Sequence, residues 1–331
     1  MDTFNNMKDE NIFGFQETLP SQFPSQLILD ITEVCNLGCV HCPHPVFKNS
    51  NLYGKRYLKP ELNTKMVNEV KQEGAGHCQY IRYTSNGEPL IHPLGYKMLQ
   101  EAVDHSGAFV CLTTNGTIMK ERKTRQLLDS GIHMIDISID AYTPETYAKI
   151  RRGGNLKITR HNILELLKWV KKSNLPTKVV VSFIEQPENS NEIEDFKKFW
   201  KNEGATEVII RRLHSASGAV GSIAEKMKES QKDVERYPCL YPWERLTLDP
   251  KGYLAFCPTD WEYKSPFVNY ENCTIAEAWS GEFMQSLRNA HKENNFSCHK
   301  FCGQCPDWQS TRWPKQEGRR YADLISELSD M

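Results

Sequence analysis

The sequence has almost no net charge, no long apolar stretch and no leader-like start. Lysine and arginine total 41 and aspartate and glutamate 42, so the formal net charge is −1. That balance supplies no electrostatic attraction to nucleic acid or to an anionic membrane, and neither is expected as a partner. No apolar run approaches the roughly 20 residues of a membrane span. The opening residues, MDTFNNMKDENIFGFQ, lack the basic and apolar regions of a secretory signal. A cytoplasmic location is therefore expected, where thiols stay reduced. Internal repeats and low-complexity tracts are missing as well. Cysteine, by contrast, is plentiful, at eleven residues. In a reducing compartment that number points to metal or cluster binding. Some of these cysteines have the plainer use of small apolar core residues, which is the reading for Cys78 and Cys111.

Residues 1–24 are polar, close on Pro20 and Pro24, and read as an entry arm. Short apolar runs then recur at LILDIT (27–32), YIRYT (80–84), FVCLTT (109–114), MIDISI (134–139), VVVSFI (179–184) and EVIIRR (207–212). Their nearly continuous apolar character is that of strands covered on both faces. Helical periodicity fills the intervals at 62–73, 93–105, 121–130, 156–172 and 190–203. Six strand–helix units in succession predict an α/β fold with a parallel barrel, complete or partial. In such a barrel the chemistry gathers where strands end on the C-terminal side. The alternation stops near residue 215, at the small-residue linker SASGAVGS (215–222). Beyond it, RLTLDPKGYLAF (245–256) reads as a hairpin turning at 249–252. A single helix is expected over 274–292. The domain boundary is placed near residue 225.

CNLGCVHC (35–42) follows the first strand directly and sets Cys35, Cys39 and Cys42 at spacings of four and three. Three thiolates do not close a zinc tetrahedron, although His41 and His44 stand close enough in sequence to offer a fourth ligand. The other reading is an iron–sulfur cluster with one iron left open to a chelating molecule. A second set, Cys239, Cys257, Cys298, Cys302 and Cys305, flanks the hairpin and ends in a CxxC. By chemistry alone it suits zinc as well as iron–sulfur.

CNLGCVHC has the CxxxCxxC spacing of the radical S-adenosylmethionine (radical SAM) superfamily, and the resemblance runs on through most of the chain. SNGEPLIHP (85–93) resembles that family's Gly-Gly-Glu segment, with Asn86 where the first glycine is usual. LTTNGT (112–117) and ISIDAYTPETYAKIRRGG (137–154) follow the third and fourth strands as in the family. The resemblance implies a partial (β/α)6 TIM-like barrel over 25–225. It implies that Cys35, Cys39 and Cys42 hold a 4Fe–4S cluster whose fourth iron is chelated by S-adenosylmethionine. Asn86, Gly87 and Glu88 lie where the family meets the methionine amine, with Gly87 permitting close backbone approach and Glu88 either receiving the ammonium or fixing the strand end. Ser138 and Asp140 are candidates for the ribose, Asn115 a weaker one, and Arg151 for the carboxylate.

The later cysteines, with the GxxxxC ending on Cys257, look like the auxiliary-cluster domain called SPASM or, in its short form, twitch. That likeness implies a small hairpin-plus-helix domain over 226–331 and one auxiliary 4Fe–4S cluster on Cys239, Cys257, Cys302 and Cys305. Cys298 is then left over, either as a replacement for one of these ligands or as a free thiol near the site able to return a hydrogen, and the same holds, less so, for Cys273. Arg211, Arg212 and His214 are candidates to touch substrate, and Trp243, Trp261 and Trp308 either line a pocket or pack. The activity implied is hydrogen abstraction from an unactivated carbon by a 5′-deoxyadenosyl radical. Dehydrogenation of a secondary alcohol of a sugar, aminocyclitol or similar small molecule is favoured, with a flavodoxin or ferredoxin as reducing partner. The alternatives are a maturase or epimerase of a ribosomal peptide, a redox-neutral carbohydrate epimerase, and a non-catalytic zinc scaffold. The short run before the first strand argues against a peptide-binding domain there.

Overall fold

A computed structural model describes residues 22–84, 86–310, 313 and 319–331. Most of the entry arm, residues 1–21, lies outside the described residues. Six strands form in chain order: β1 (Gln26–Leu29), β2 (Tyr80–Tyr83), β3 (Phe109–Thr114), β4 (Met134–Ser138), β5 (Lys178–Glu185) and β6 (Glu207–Arg212). They pair in parallel and in sequence order. The connections carry helices α1 (Pro60–Gln72), α2 (Gly95–His105), α3 (Glu121–Asp129), α4 (Pro144–Ile150), α5 (Leu156–Lys172) and α6 (Ile193–Asn202). The partial (β/α)6 barrel is therefore present. Its two faces are apolar for different reasons. Leu27, Leu29, Ile81, Val110, Leu112, Ile135 and Ile137 point outward into the layer beneath the helices. The alternate residues Ile28, Tyr80, Cys111, Met134 and Val180 point inward.

The inward residues meet an element that the sequence pattern did not single out. Helix α11 (Tyr321–Ser329), the last of the chain, sets Leu324, Ile325 and Leu328 against them and closes the barrel floor. Before it come α7 (Gly221–Ser230), β7 (Arg245–Leu248), β8 (Tyr253–Ala255), β9 (Pro266–Asn269), α8 (Ile275–Ser280), α9 (Glu282–Lys292) and α10 (Lys300–Gln304). The expected hairpin is β7–β8. It continues the barrel sheet itself, because β7 pairs in parallel with β1, Gln26 opposite Arg245 and Leu29 opposite Leu248. The sheet thus runs β6-β5-β4-β3-β2-β1-β7-β8-β9 and, among the described residues, does not close. The helix expected over 274–292 is two helices. Gly281 is extended (φ −67°, ψ 165°), ends α8 and begins α9. Glycine is a weak helix former, and a Cβ there would lie 2.9 Å from Glu277 O.

Candidate active site: two cysteine sets and the barrel mouth

β1 delivers the chain to the cysteine loop, and three other barrel loops hold that loop in place. After β4 and α4, Arg152 O accepts Gly38 N–H at 2.8 Å and Ile150 O accepts Val40 N–H at 3.0 Å. After β3, Asn115 Nδ2 donates to Asn36 Oδ1 at 2.9 Å, and Asn36 Nδ2 to Thr117 Oγ1 at 2.8 Å. After β2, Glu88 N–H donates to Val34 O at 2.8 Å. Glu33, fully buried, accepts Gly54 N–H, Arg56 N–H and Arg56 Nη1, the last at 2.6 Å, and takes the Tyr263 hydroxyl from the C-terminal part of the chain.

Within the loop the backbone donates to sulfur, Leu37 N–H to Cys35 Sγ and His44 N–H to Cys42 Sγ, both at 3.5 Å. Cys35, Cys39 and Cys42 feel one another's charge, and Arg151 acts on all three. Burial pushes the Cys35 and Cys42 thiols up to about 12 and raises Cys39 too. Such thiols become thiolates only with a cation among them, which a cluster iron provides. The two histidines weighed as zinc ligands are engaged elsewhere. His44 Nε2 is 2.9 Å from Glu33 O. His41 Nε2 is 3.6 Å from Asp140 Oδ2, and its Nδ1 is 3.3 Å from Gln186 Nε2. Burial pulls His41 down to about 4, so it is uncharged at neutral pH. Among the described residues, no three His, Cys, Asp or Glu side chains cluster as ligands of one metal ion. Cluster thiolates stand farther apart than the ligands of a single ion.

The surrounding residues make defined contacts within the protein. Gly87 does allow a close approach, but of protein backbone: a Cβ there would lie 2.4 Å from Thr32 O and 2.5 Å from Val34 O. Glu88 fixes strand ends. Its carboxylate is buried and accepts Thr114 Oγ1 at 2.6 Å, Asn115 N–H at 2.8 Å and Leu90 N–H at 3.1 Å. Asn115 spends its side chain on Asn36 and Thr117. Asp140, at φ +61° and fully buried, accepts Ile184 N–H at 2.7 Å and pairs with Arg151 at 2.5 Å. It serves as counter-ion to Arg151. Arg151 keeps Nε buried without a protein partner, a donor suited to a ligand carboxylate. Asn86 donates its N–H to Asp30 and Nδ2 to Asp260 O, each at 3.2 Å. Ser138 stays half-buried at the end of β4.

The second set assembles from distant segments. Cys257, Cys239 and Cys305 all act electrostatically on Cys302, and burial pushes Cys305 up to about 12. Arg236 lies beside them, its Nη1 on Gly303 O at 2.9 Å and Nη2 on Cys302 O at 2.5 Å. Cys257 Sγ has Thr259 Oγ1 at 3.3 Å and Ser217 Oγ at 3.4 Å. Ser217 comes from the loop leaving β6, which Asp307 holds by accepting Ser215 N–H, Ser215 Oγ and Ser217 N–H at 2.8, 2.9 and 2.6 Å. The second set is therefore tied to the last barrel strand. Cys298 is exposed, with Ser297 Oγ 3.9 Å away. Cys273 sits on the helix-covered side of the sheet, near Lys65 and Glu69. Neither is on the inner face.

Cys78 and Cys111 are buried core thiols. His92 is structural, with Nε2 3.0 Å from Leu58 O. Trp243 and Trp308 pack together with Trp313 in a small core, and Trp261 against His44 and Phe47. Arg212 is exposed, whereas Arg211 faces the barrel interior. There it meets residues that sequence reasoning passed over: Asp136, Arg82 and Ser182. Their signal was available, because a charged residue alternating with apolar ones in MIDIS or YIRY marks an inward position of a buried strand.

A family model described as the radical SAM superfamily matches residues 29–199, more than half of the chain. The chain belongs to the radical SAM superfamily. Radical SAM proteins use S-adenosylmethionine and a 4Fe–4S cluster, and the barrel here carries that domain. A second model, SPASM, described as an iron-sulfur cluster-binding domain, matches residues 239–306 and adds auxiliary iron–sulfur binding. A probable GTP 3′,8-cyclase of Methanocaldococcus jannaschii is 28% identical over 184 residues, 56% of this chain and 57% of that protein. A GTP 3′,8-cyclase of Alkaliphilus metalliredigens is 31% identical over 170 residues, 51% of this chain and 50% of that protein. The chain thus spans about half the length of these curated relatives. Among solved structures, BtrN in complex with AdoMet and 2-DOIA superposes with a TM-score of 0.56 at 16% identity, covering 85% of this chain and 92% of that one. Streptococcus suis SuiB bound to precursor peptide SuiA gives 0.63 at 12% identity, with 92% and 73% covered. At these identities the likeness is one of fold.

Proposed function

We propose that this radical SAM enzyme dehydrogenates a secondary alcohol of a polar small molecule, a sugar or an aminocyclitol. In this reading Cys35, Cys39 and Cys42 hold the SAM-binding 4Fe–4S cluster. Cys239, Cys257, Cys302 and Cys305 hold one auxiliary 4Fe–4S cluster in a domain beginning near residue 226. The enzyme works in the cytoplasm with a flavodoxin- or ferredoxin-type reductant. The observation that carries the reading is the tie between Cys257 and the loop leaving β6, through Ser217 and Asp307. It supports a closed four-cysteine site at the open edge of the barrel.

Oxidising a secondary alcohol to a ketone removes one hydrogen atom, one proton and one electron. When bound, the cofactors supply a 5′-deoxyadenosyl radical for the hydrogen atom and an auxiliary cluster for the electron, while the proton leaves to water. The chain's own part is position. Glu88, Asn115 and Gly87 lock the strand ends on which the cysteine loop rests. Arg151 Nε, buried without a protein partner, would donate to the SAM carboxylate, and Ser138 offers a hydroxyl at the mouth. Floor-closing α11 keeps bulk water from entering below. The exposure of Cys298 and the position of Cys273 on the helix-covered side of the sheet count against either as the inward hydrogen donor of an epimerase. A nucleotide-directed reading draws on the likeness to GTP 3′,8-cyclases.

The test uses anaerobically reconstituted enzyme, reductant, SAM and carbinol-deuterated sugars or aminocyclitols. Deuterium is expected in 5′-deoxyadenosine together with a ketone, from protein carrying about eight irons in two 4Fe–4S clusters. Turnover of GTP in place of the alcohols would sink the dehydrogenase reading. Zinc without iron would sink the enzyme.

A further inference from the structure

One layer below Ser138, on the same face of β4, lies Asp136, fully buried. Two arginines converge on it from opposite sides of the barrel. Arg211 Nη2 of β6 stands 2.5 Å from Asp136 Oδ2, and Arg82 Nη2 of β2 stands 3.4 Å from the same oxygen. Ser182 Oγ donates to Asp136 Oδ1, and Tyr321 Oη of α11 lies 3.4 Å from Oδ2. Arg82 Nε adds a bond to Thr113 Oγ1 at 2.9 Å. A packed barrel would fill this height with branched aliphatic side chains. Here it holds two guanidinium groups and a single carboxylate, a surplus of one positive charge.

Acids at the mouth do not cancel that surplus. Asp140 is committed to Arg151, and Glu88 is capped by three donors. Asp30 faces Asp249 across the β1–β7 seam. An unmatched charge in such a place is costly unless solvent or a ligand reaches it. Both arginines remain reachable, Arg82 with 15% and Arg211 with 27% of the side chain exposed. Access from below is shut, because Tyr321 stacks under Arg82 at 4.2 Å and Arg211 at 5.2 Å, with the apolar side chains of α11 beneath. Their open edges therefore face the mouth or the gap beside β6.

We propose that Arg82 and Arg211 form an anion subsite in the barrel interior, and that the substrate carries a phosphate or carboxylate group anchored there while its reacting carbon lies above, toward Ser138. The inference rests on the reading that SAM binds at the mouth. It narrows the substrate class to an acidic or phosphorylated small molecule. Arg82 spends Nε and Nη2 on Thr113 and Asp136, and Arg211 spends them on Ser182 and Asp136, so the Nη1 groups, one from each arginine, suit a two-oxygen anion edge.

Calorimetric titration of the anaerobic, SAM-loaded holoenzyme with inorganic phosphate, and separately with acetate, tests the subsite without turnover. Saturable binding of at least one anion is expected, and whichever binds tighter distinguishes phosphate from carboxylate. Arg211→Gln is expected to weaken it about tenfold or more, the loss of one charge-assisted contact. Arg211→Lys, which keeps the charge on Asp136, weakens it less and serves should the glutamine variant not fold. Exposed Arg212→Gln binds as wild type. No saturable binding of either anion, or an equal loss in the Arg212 and Arg211 variants, overturns the proposal. If anion binding behaves as expected and no alcohol is oxidised, the dehydrogenase reading fails and the subsite stands.

Discussion

The two cysteine sets solve the same problem in opposite ways. The first is local, three cysteines within eight residues, and a long-range polar frame holds it from outside. The second is dispersed, four cysteines spread over 239–305, and its frame joins distant segments as well: Arg236 reaches the α10 carbonyls and Ser217 of the β6 exit reaches Cys257, with Thr259 the local contact. A local set needs help to hold its shape, because a short loop has few internal constraints. A dispersed set already depends on the fold of its domain to bring the thiols together. The difference implies that damage to the frame of the first set blocks radical formation. On the proposed function, damage to the second spares that step and blocks the later electron transfer.

Cysteine substitution tests that division most severely. Cys39→Ala is expected to remove about half the iron and abolish reductive cleavage of SAM. Cys302→Ala is expected to lose a similar amount of iron, yet still cleave SAM while forming no oxidised product. Iron analysis beside 5′-deoxyadenosine yield reads both. Loss of cleavage in the Cys302 variant would erase the distinction. Gly87→Ala comes next, since its Cβ would collide with Thr32 O and Val34 O, neither of which has room to give. Its expected result is displacement of the cysteine loop and loss of SAM cleavage, with the second cluster intact by electron paramagnetic resonance. Asp307→Ala should do the reverse. It strands three donors at the β6 exit, costs roughly 2–4 kcal/mol in unfolding experiments, and perturbs the second cluster's spectrum while leaving the first unchanged.

The same contrast separates what was readable in sequence from what was not. The six strands and the CxxxCxxC loop were legible because their signals are local: continuous apolar runs, and a fixed spacing. The residues around the loop were legible as a set but not as a network. Asn115 meets Asn36 across 79 residues. Only the fold shows that Asp140 is already taken by Arg151. Arg82, Asp136 and Arg211 sat in view inside apolar strands, yet their convergence needs the curvature of the sheet. The role of α11 was hidden for a similar reason, since its apolar face has no partner until the barrel interior exists. The parallel pairing of β7 with β1 joins segments more than 200 residues apart, and no hairpin signal reports it.

That pairing sets the last and smallest test, at the seam between the two regions. Asp249 accepts Lys251 N–H and Tyr253 N–H on Oδ1, both at 2.9 Å, and leaves Oδ2 buried without a hydrogen-bond partner. Burial pushes its carboxyl up to about 6. Asp30 of the barrel lies opposite, its carboxyl also raised, by burial first and then by Asp249. A carboxyl raised in the folded state binds a proton that the unfolded chain gives up. The stability it contributes is therefore present below about pH 4 and is lost as pH rises through about 6. Asp249→Asn preserves the Oδ1 turn contacts and presents an amide to Asp30, so it removes this loss. At pH 7 the variant is expected to be more stable by roughly 2–3 kcal/mol, from a shift of about two units. The gap between variant and wild type in chemical unfolding should widen from about pH 4 to about pH 6 and level off by about pH 7. A gap that stays constant with pH would mean that the seam is held by the turn alone, and that the barrel and the hairpin do not communicate through this pair.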